Sequence, residues 1–279
     1  MRKFSGVITA LITPFENDKI DFNSLKKLIH FQIKNKINGF VINGTTAESP
    51  SLTNEEIKEI FIFTKKNSPE HFPLIVGAGS NSTNKTIELA KNAEKLGADA
   101  ILTVVPYYNK PPQRGLLEHF KKVADSVNVP IILYNVPSRT ITSLEIETIK
   151  KLSEHPNIIG IKEASGNIEF AHQIRKQCGS EFLLLSGDDG SYDQFLKIGG
   201  DGVISVASHI IPTQMQSAEI SNYKDLIDLL FCEANPIPIK MALHLMGIIQ
   251  KADLRLPLVP LSPFFTDKLK NEMKQKHLI

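Results

Sequence analysis

Short apolar runs alternate with longer stretches of mixed polarity along most of this chain. The runs fall at 6–13, 39–43, 74–78, 100–105, 130–136, 158–164, 182–186 and 202–207. Each is short and rich in β-branched residues, as strands buried on both faces are. Most lead through a polar loop into a stretch with apolar residues at helical spacing. The segment 21–38 opens at Asp21 and repeats Leu25, Leu28, Ile29 and Ile33 on one face. Thr53 followed by Glu56 is a capping-box pattern ahead of Ile57, Ile60 and Phe61. The segment 83–96 has the same periodicity, and Gly97 supplies its stop.

This repeated strand-then-helix order predicts an α/β fold, a (β/α)8 TIM barrel. Local periodicity alone is shared with an open doubly wound sheet. After the eighth strand, helices are expected at 226–231, 236–250 and 262–275. The expected division is a barrel over 1–210 and a helical extension over 211–279 packed on it. A barrel needs one closing helix, so the surplus packs outside it or builds a subunit interface.

Composition narrows the function. Of 279 residues, 42% are hydrophobic, enough to bury a sizeable core. The formal net charge is +2 without a long basic block, and tryptophan is absent, which argues against a nucleic-acid groove. Cys178 and Cys232 form neither a CxxC pair nor a disulfide framework, so a reducing cytoplasm is the expected setting. No signal-peptide core and no membrane-spanning run is expected.

In a βα-barrel the chemistry sits where strands end. Lys162 lies in the apolar run 158–164. A charged lysine there is costly unless paired or neutralised. An amine kept dry gives up its proton more readily, and the neutral amine attacks carbonyl carbon. The run therefore points to a Schiff-base nucleophile; the alternative is a strand-end lysine that snorkels to water. Alternation places Ile132, Tyr134 and Val136 on one face, and Ile158, Gly160, Lys162 and Ala164 on another. If both faces look inward, a phenol stands beside the amine and can donate and accept the protons of carbinolamine chemistry. Gly160 is expected to leave room for the lysine. Otherwise Tyr134 is a core tyrosine with a wet hydroxyl.

Gly44-Thr45-Thr46 offers two hydroxyls and consecutive backbone N–H groups that can cradle a carboxylate, or it is a loop satisfying itself. Arg139 presents a fork suited to a carboxylate, or is a surface arginine. Spacing does not rank Tyr107 against Tyr108. Gly77-Ala-Gly79 lacks the third glycine of a dinucleotide fingerprint. The histidines show no metal-ligand spacing with the cysteines, so no metal is expected. Asp188 and Asp189 stand where barrels often bind phosphate, which favours a non-phosphorylated substrate.

The stretches GTTAES (44–49), PYYNKP (106–111), YNVPSRT (134–140), IIGIKEASGN (158–167), LLSGDD (184–189), GGDGVISV (199–206) and NPIPIK (235–240) together resemble the pyruvate-dependent class I aldolase and lyase family. The resemblance covers nearly the whole chain. It implies a pyruvate Schiff base on Lys162, with Tyr134 as the proton-transfer phenol. It implies that Thr45 relays protons between Tyr134 and a second tyrosine, Tyr108, lent by a neighbouring subunit. Thr45 and Thr46 would hold the pyruvate carboxylate and Arg139 that of the second substrate. The backbone at Gly187 and Ile204 would line the pocket. The implied reaction condenses pyruvate with L-aspartate-4-semialdehyde on the diaminopimelate and lysine route, without cofactor, in a homodimer or homotetramer. The alternatives are an N-acetylneuraminate lyase, a keto-deoxy sugar-acid aldolase, or a silent barrel that binds keto acids.

The chain also departs from the family pattern. Ala47 stands where glycine is common, and the stretch 210–234 looks short. In lysine-inhibited members a histidine and a glutamate help bind the inhibitor; Ile57 and Lys85 stand at the corresponding places. Weak or absent lysine feedback is expected.

Overall fold

The computed structural model describes residues 3–279. Strands form where the apolar runs lie: β1 (Gly6–Ala10), β2 (Gly39–Ile42), β3 (Leu74–Gly77), β4 (Ala100–Val104), β5 (Ile131–Asn135), β6 (Ile158–Glu163), β7 (Leu183–Ser186) and β8 (Gly202–Ser205). They close into a barrel in the order β1-β8-β7-β6-β5-β4-β3-β2. The expected (β/α)8 architecture is therefore present. Every residue of β2, β5, β7 and β8 is buried, as parallel strands covered on both faces must be.

Helices α1 (Phe22–Lys34), α2 (Asn54–Lys66), α3 (Thr83–Leu96), α4 (Gln113–Ala124), α5 (Ile146–Ser153), α6 (Ile168–Cys178) and α7 (Tyr192–Lys197) follow the first seven strands. Beyond β8 come α8 (Pro212–Ser217), α9 (Lys224–Leu229), α10 (Ile237–Leu245) and α11 (Pro263–Gln275). The chain forms two compact units. One holds Pro73–Ile204 with the described residues up to Gly6; the other holds Val7–Phe72 and Ser205–Ile279. Ile101, Leu133, Ile161 and Leu184 are fully buried in the first, and Ile8, Phe40, Leu25 and Phe61 in the second.

Local chemistry explains the boundaries. The Asp21 carboxylate accepts from the N–H groups of Asn23 and Ser24, and so starts α1. That helix stops before residue 38 because Asn38 belongs to the barrel. Its N–H donates to the Val7 carbonyl at 2.8 Å, and its side chain accepts the Val7 N–H at 2.8 Å. The capping box of α2 forms, with Glu56 N–H donating to Thr53 Oγ1 at 3.2 Å and Thr53 N–H to Glu56 Oε2 at 2.9 Å. Gly97, at φ 83°, ends α3 in the left-handed region.

Two further boundaries differ from expectation, and two elements were not expected. The first strand ends at Ala10 rather than residue 13; Leu11 still donates to Val41, but Pro14 has no N–H to extend a ladder. A small antiparallel hairpin, Phe15–Glu16 with Lys19–Ile20, follows. The helix expected over 236–250 stops at Leu245, because Ile248 N–H turns back to the Leu243 carbonyl around Gly247 at φ 70°. Helix α8 opens with Pro212 at its first turn and was not expected from periodicity.

Candidate active site

In the first unit, β5 and β6 run parallel with Tyr134 opposite Lys162 and Asn135 opposite Glu163. The Lys162 amine stands 4.4 Å from the centroid of the Tyr134 ring. Lys162 is 7% exposed and Tyr134 8%, so the pair is withdrawn from water. The two side chains that alternation placed together do meet. Lys162 does not snorkel out to solvent.

The expectation for Gly160 is corrected. A Cβ there would lie 2.3 Å from the Leu183 carbonyl oxygen on β7, so the close approach of that strand, and not the lysine, demands glycine. The residue that makes room for the amine is Gly187. A Cβ at 187 would come within 2.7 Å of Lys162 Cε and 2.5 Å of Ala164 Cβ. Gly187 N–H also donates to the Glu163 carbonyl at 2.7 Å. Ile204 is buried in β8.

Three predicted residues of this unit stand on loops after strands. Tyr108 follows β4 with φ 75° and is 87% exposed, whereas Tyr107 is 40% exposed. Arg139 is exposed on the helical turn Pro137–Thr140 after β5. Thr140 Oγ1 braces that turn by donating to the Val136 and Thr142 carbonyls at 3.0 and 2.8 Å. Asp188, read as a guard against phosphate, accepts from the Ser191 N–H at 3.0 Å and from its hydroxyl, and so shapes the entry to α7. Burial raises the Glu163 carboxyl above the ordinary carboxylate range, and hydrogen bonds from Ser165 and Asn135 oppose that rise.

In the second unit, Thr45–Ala47 forms a 3-10 turn after β2, closed by Ala47 N–H to Gly44 and Glu48 N–H to Thr45, each at 3.1 Å. Thr46 is buried, and its Oγ1 accepts from Asn235 Nδ2 at 2.9 Å. Glu48 takes the left-handed conformation, φ 58°. Its carboxylate accepts from the Lys240 amine and from the Arg255 N–H, the latter at 2.9 Å. Lys240 stands 4.2 Å from the Phe15 ring centroid, and the Arg255 guanidinium 4.4 Å. Burial pushes the Lys240 amine down to about 8, opposed by the Glu48 charge. NPIPIK thus grips GTTAES at two points.

Sequence reasoning missed Asn235, Glu48, Lys240, Asn135 and Glu163 as supports. NPIPIK was visible as a motif, but its partner lies near the other end of the chain. Among the described residues, no group of three or more His, Cys, Asp or Glu is placed to hold a metal ion, and no helix is long and apolar enough to cross a membrane.

A profile described as the dihydrodipicolinate synthetase family matches residues 3–276. A 4-hydroxy-tetrahydrodipicolinate synthase of Bdellovibrio bacteriovorus is 57% identical, over 99% of both chains. Another, from a Sulfurihydrogenibium species, is 44% identical, again over 99% of both. The solved dihydrodipicolinate synthase of Thermotoga maritima superposes with a TM-score of 0.97 at 40% identity, covering 100% of each chain. A structure described as a monomeric dihydrodipicolinate synthase variant has a TM-score of 0.96 at 40% identity, covering 99% of this chain and 98% of the other.

Proposed function

The chain belongs to the dihydrodipicolinate synthetase family, and from that premise we propose that it condenses pyruvate with L-aspartate-4-semialdehyde through a Schiff base on Lys162. The observation that carries this reading is the buried amine of Lys162, 4.4 Å from the ring centroid of an equally buried phenol.

The chemistry follows from the groups present. The neutral amine adds to the keto carbon of pyruvate, and loss of water leaves a protonated imine. That imine draws electrons, so a proton leaves the methyl carbon and an enamine forms. The enamine carbon attacks the aldehyde carbon of the second substrate, whose oxygen takes up a proton. The amino group of that substrate then attacks the imine carbon and closes the ring, and the lysine leaves as a free amine. One water is released over the cycle. Each step needs a proton delivered or removed near the nitrogen, and Tyr134 is the group we assign to that work.

The remaining assignments are part of the same reading. Thr45 and Thr46 bind the pyruvate carboxylate, Thr46 held by Asn235. Arg139 binds the carboxylate of the semialdehyde with its planar fork. The backbone of Gly187 and Ile204 lines the pocket. Thr45 passes protons between Tyr134 and Tyr108. Tyr108 is 87% exposed on its loop, which suits a side chain lent to the site of a neighbouring copy. The working species is then a homodimer or a homotetramer.

Borohydride reduction with pyruvate tests the reading. A stable adduct on Lys162 is expected, with condensation of the semialdehyde and no cleavage of sialic acid. In Lys162→Ala both the adduct and turnover should disappear. An enzyme that condenses these substrates but yields no adduct at Lys162 would overturn the mechanism.

A further inference from the structure

We propose that Asn135 and Glu163 are a positioning pair for this reaction: together they hold the ends of β5 and β6, and the loop carrying Arg139, in the arrangement that the Tyr134–Lys162 chemistry requires. This inference rests on the functional reading above.

Strand alternation is the starting point. Tyr134 and Lys162 point to one face of the sheet, so Asn135 and Glu163 point to the other. They are the last register pair of the two strands. Asn135 is 0% exposed and Glu163 3%, so neither can be satisfied by bulk water.

The hydrogen bonds leave one assignment for the amide. Asn135 Oδ1 accepts the backbone N–H of Leu144 at 3.0 Å, which fixes that atom as oxygen. Asn135 Nδ2 therefore donates, and it reaches Glu163 Oε2 at 2.7 Å. The other carboxylate oxygen, Oε1, accepts the Ser165 N–H at 2.6 Å. A continuous path runs from Leu144 through Asn135 and Glu163 to Ser165.

These bonds add little to the strands themselves, which the backbone ladder already joins. They reach past the strand ends instead. The bond to Leu144 closes the loop that starts at Asn135 and carries Arg139. The bond to Ser165 pins the first turn after Lys162. The donors to Glu163, the Asn135 amide and the N–H and hydroxyl of Ser165, are all uncharged, an expensive way to hold a buried carboxylate if joining two strands were the only need. What the carboxylate supplies is acceptance from two N–H groups at once, one on each oxygen, which a side-chain amide cannot do.

The test reverses the donor and acceptor. In Glu163→Gln one of the two N–H groups meets an NH2. In Asn135→Asp two carboxylates face each other. In the double variant N135D/E163Q, the carboxylate introduced at position 135 accepts from Leu144 and from the glutamine amide, whose oxygen accepts from Ser165, so every bond is restored. Borohydride trapping with pyruvate and the KM for the semialdehyde are measured on folded protein, with Tm as a separate control.

Each single variant should trap pyruvate roughly 10–100-fold more slowly, as sub-ångström misplacement of reacting groups does, and should raise the KM for the semialdehyde. The double variant should return both quantities to within about threefold of wild type. Folded single variants with wild-type trapping and KM would overturn the proposal, as would a folded double variant no better than the singles. Should Glu163→Gln fail to fold, Glu163→Asp takes its place under the same expectations, since it keeps the charge but withdraws it by one methylene. Wild-type protein that forms no adduct at all would instead remove the functional reading on which the pair depends.

Discussion

The ends of β5 and β6 and the turn after β2 are both backed by buried polar networks, yet they are made of different materials. Behind Tyr134 and Lys162, an amide and a backbone N–H hold one carboxylate, and the side chains joined are 28 residues apart on neighbouring strands. Behind Thr45 and Thr46, a full ion pair joins Glu48 to Lys240, 192 residues away, and the Arg255 N–H adds a bond across 207 residues. The first network joins neighbouring strands and holds one carboxylate between uncharged donors. Disturbing it should shift reacting groups slightly and leave the fold standing. The second buries opposite charges, whose desolvation is repaid only by their mutual geometry. Disturbing it should be felt first as lost stability.

Tyr134→Phe probes the first region most directly. It removes one hydroxyl from a buried ring, so kcat should fall about 10²–10⁴-fold while the denaturation midpoint changes little. Wild-type kcat in this variant would take the phenol out of the proton path.

Lys240→Met probes the second. It strands the Glu48 carboxylate without its cation, at a cost of about 3–5 kcal/mol, read as a lowered denaturant midpoint. The double variant E48Q/K240M should recover more than half of that loss, because no buried charge is left alone. A Lys240→Met protein as stable as wild type would show the pair to be dispensable.

A smaller effect, common to both units, depends on pH. His209, after β8, accepts the Ile12 N–H at 3.2 Å and lies 2.8 Å from the Val206 carbonyl. Burial pushes it down to about 4. His119 on α4 is likewise pushed to about 4 by burial. The unfolded chain takes up these protons near pH 6.5 and the folded chain resists until about 4. The stability they contribute is therefore complete above the unfolded value and is lost as pH falls between the two. The loss is on the order of 3 kcal/mol for each. Denaturation curves at pH 7 and pH 4.5 should converge partly in His209→Asn; an unchanged pH slope would exclude this histidine.

The smallest expected effect is none. Millimolar lysine should leave turnover unaltered, since Ile57 and the exposed Lys85 offer an ammonium ligand neither an acceptor nor an opposite charge. Strong inhibition would show that lysine is held by other residues.

Much of the first region was legible before any coordinates. Period-two alternation gives Tyr134 and Lys162 a defined face on each of two neighbouring runs, because a strand has only two faces; that both faces look inward, in a register that sets the two residues side by side, is decided by the folded barrel. The same rule sends Asn135 and Glu163 to the other faces of their strands, but the register that pairs them and closes the Arg139 loop appears only in the structure. Gly160 marks the limit of local pattern. A glycine in a strand signals close approach, but only the position of Leu183 reveals what approaches. The helix end at Leu245 turned on a left-handed glycine and one returning N–H, which periodicity does not report.

What the sequence determined by itself was the order of strands and helices, the faces of each strand and the chemistry carried at their ends. These follow from nearest-neighbour sterics and from the separation of apolar from polar positions. The partners of Glu48, Thr46 and Lys240 were decided only in the folded chain. Their contacts span about two-thirds of its length, and no local preference encodes which distant group a buried charge or hydroxyl will meet. That choice is made when barrel closure removes water and each buried polar atom must find a partner.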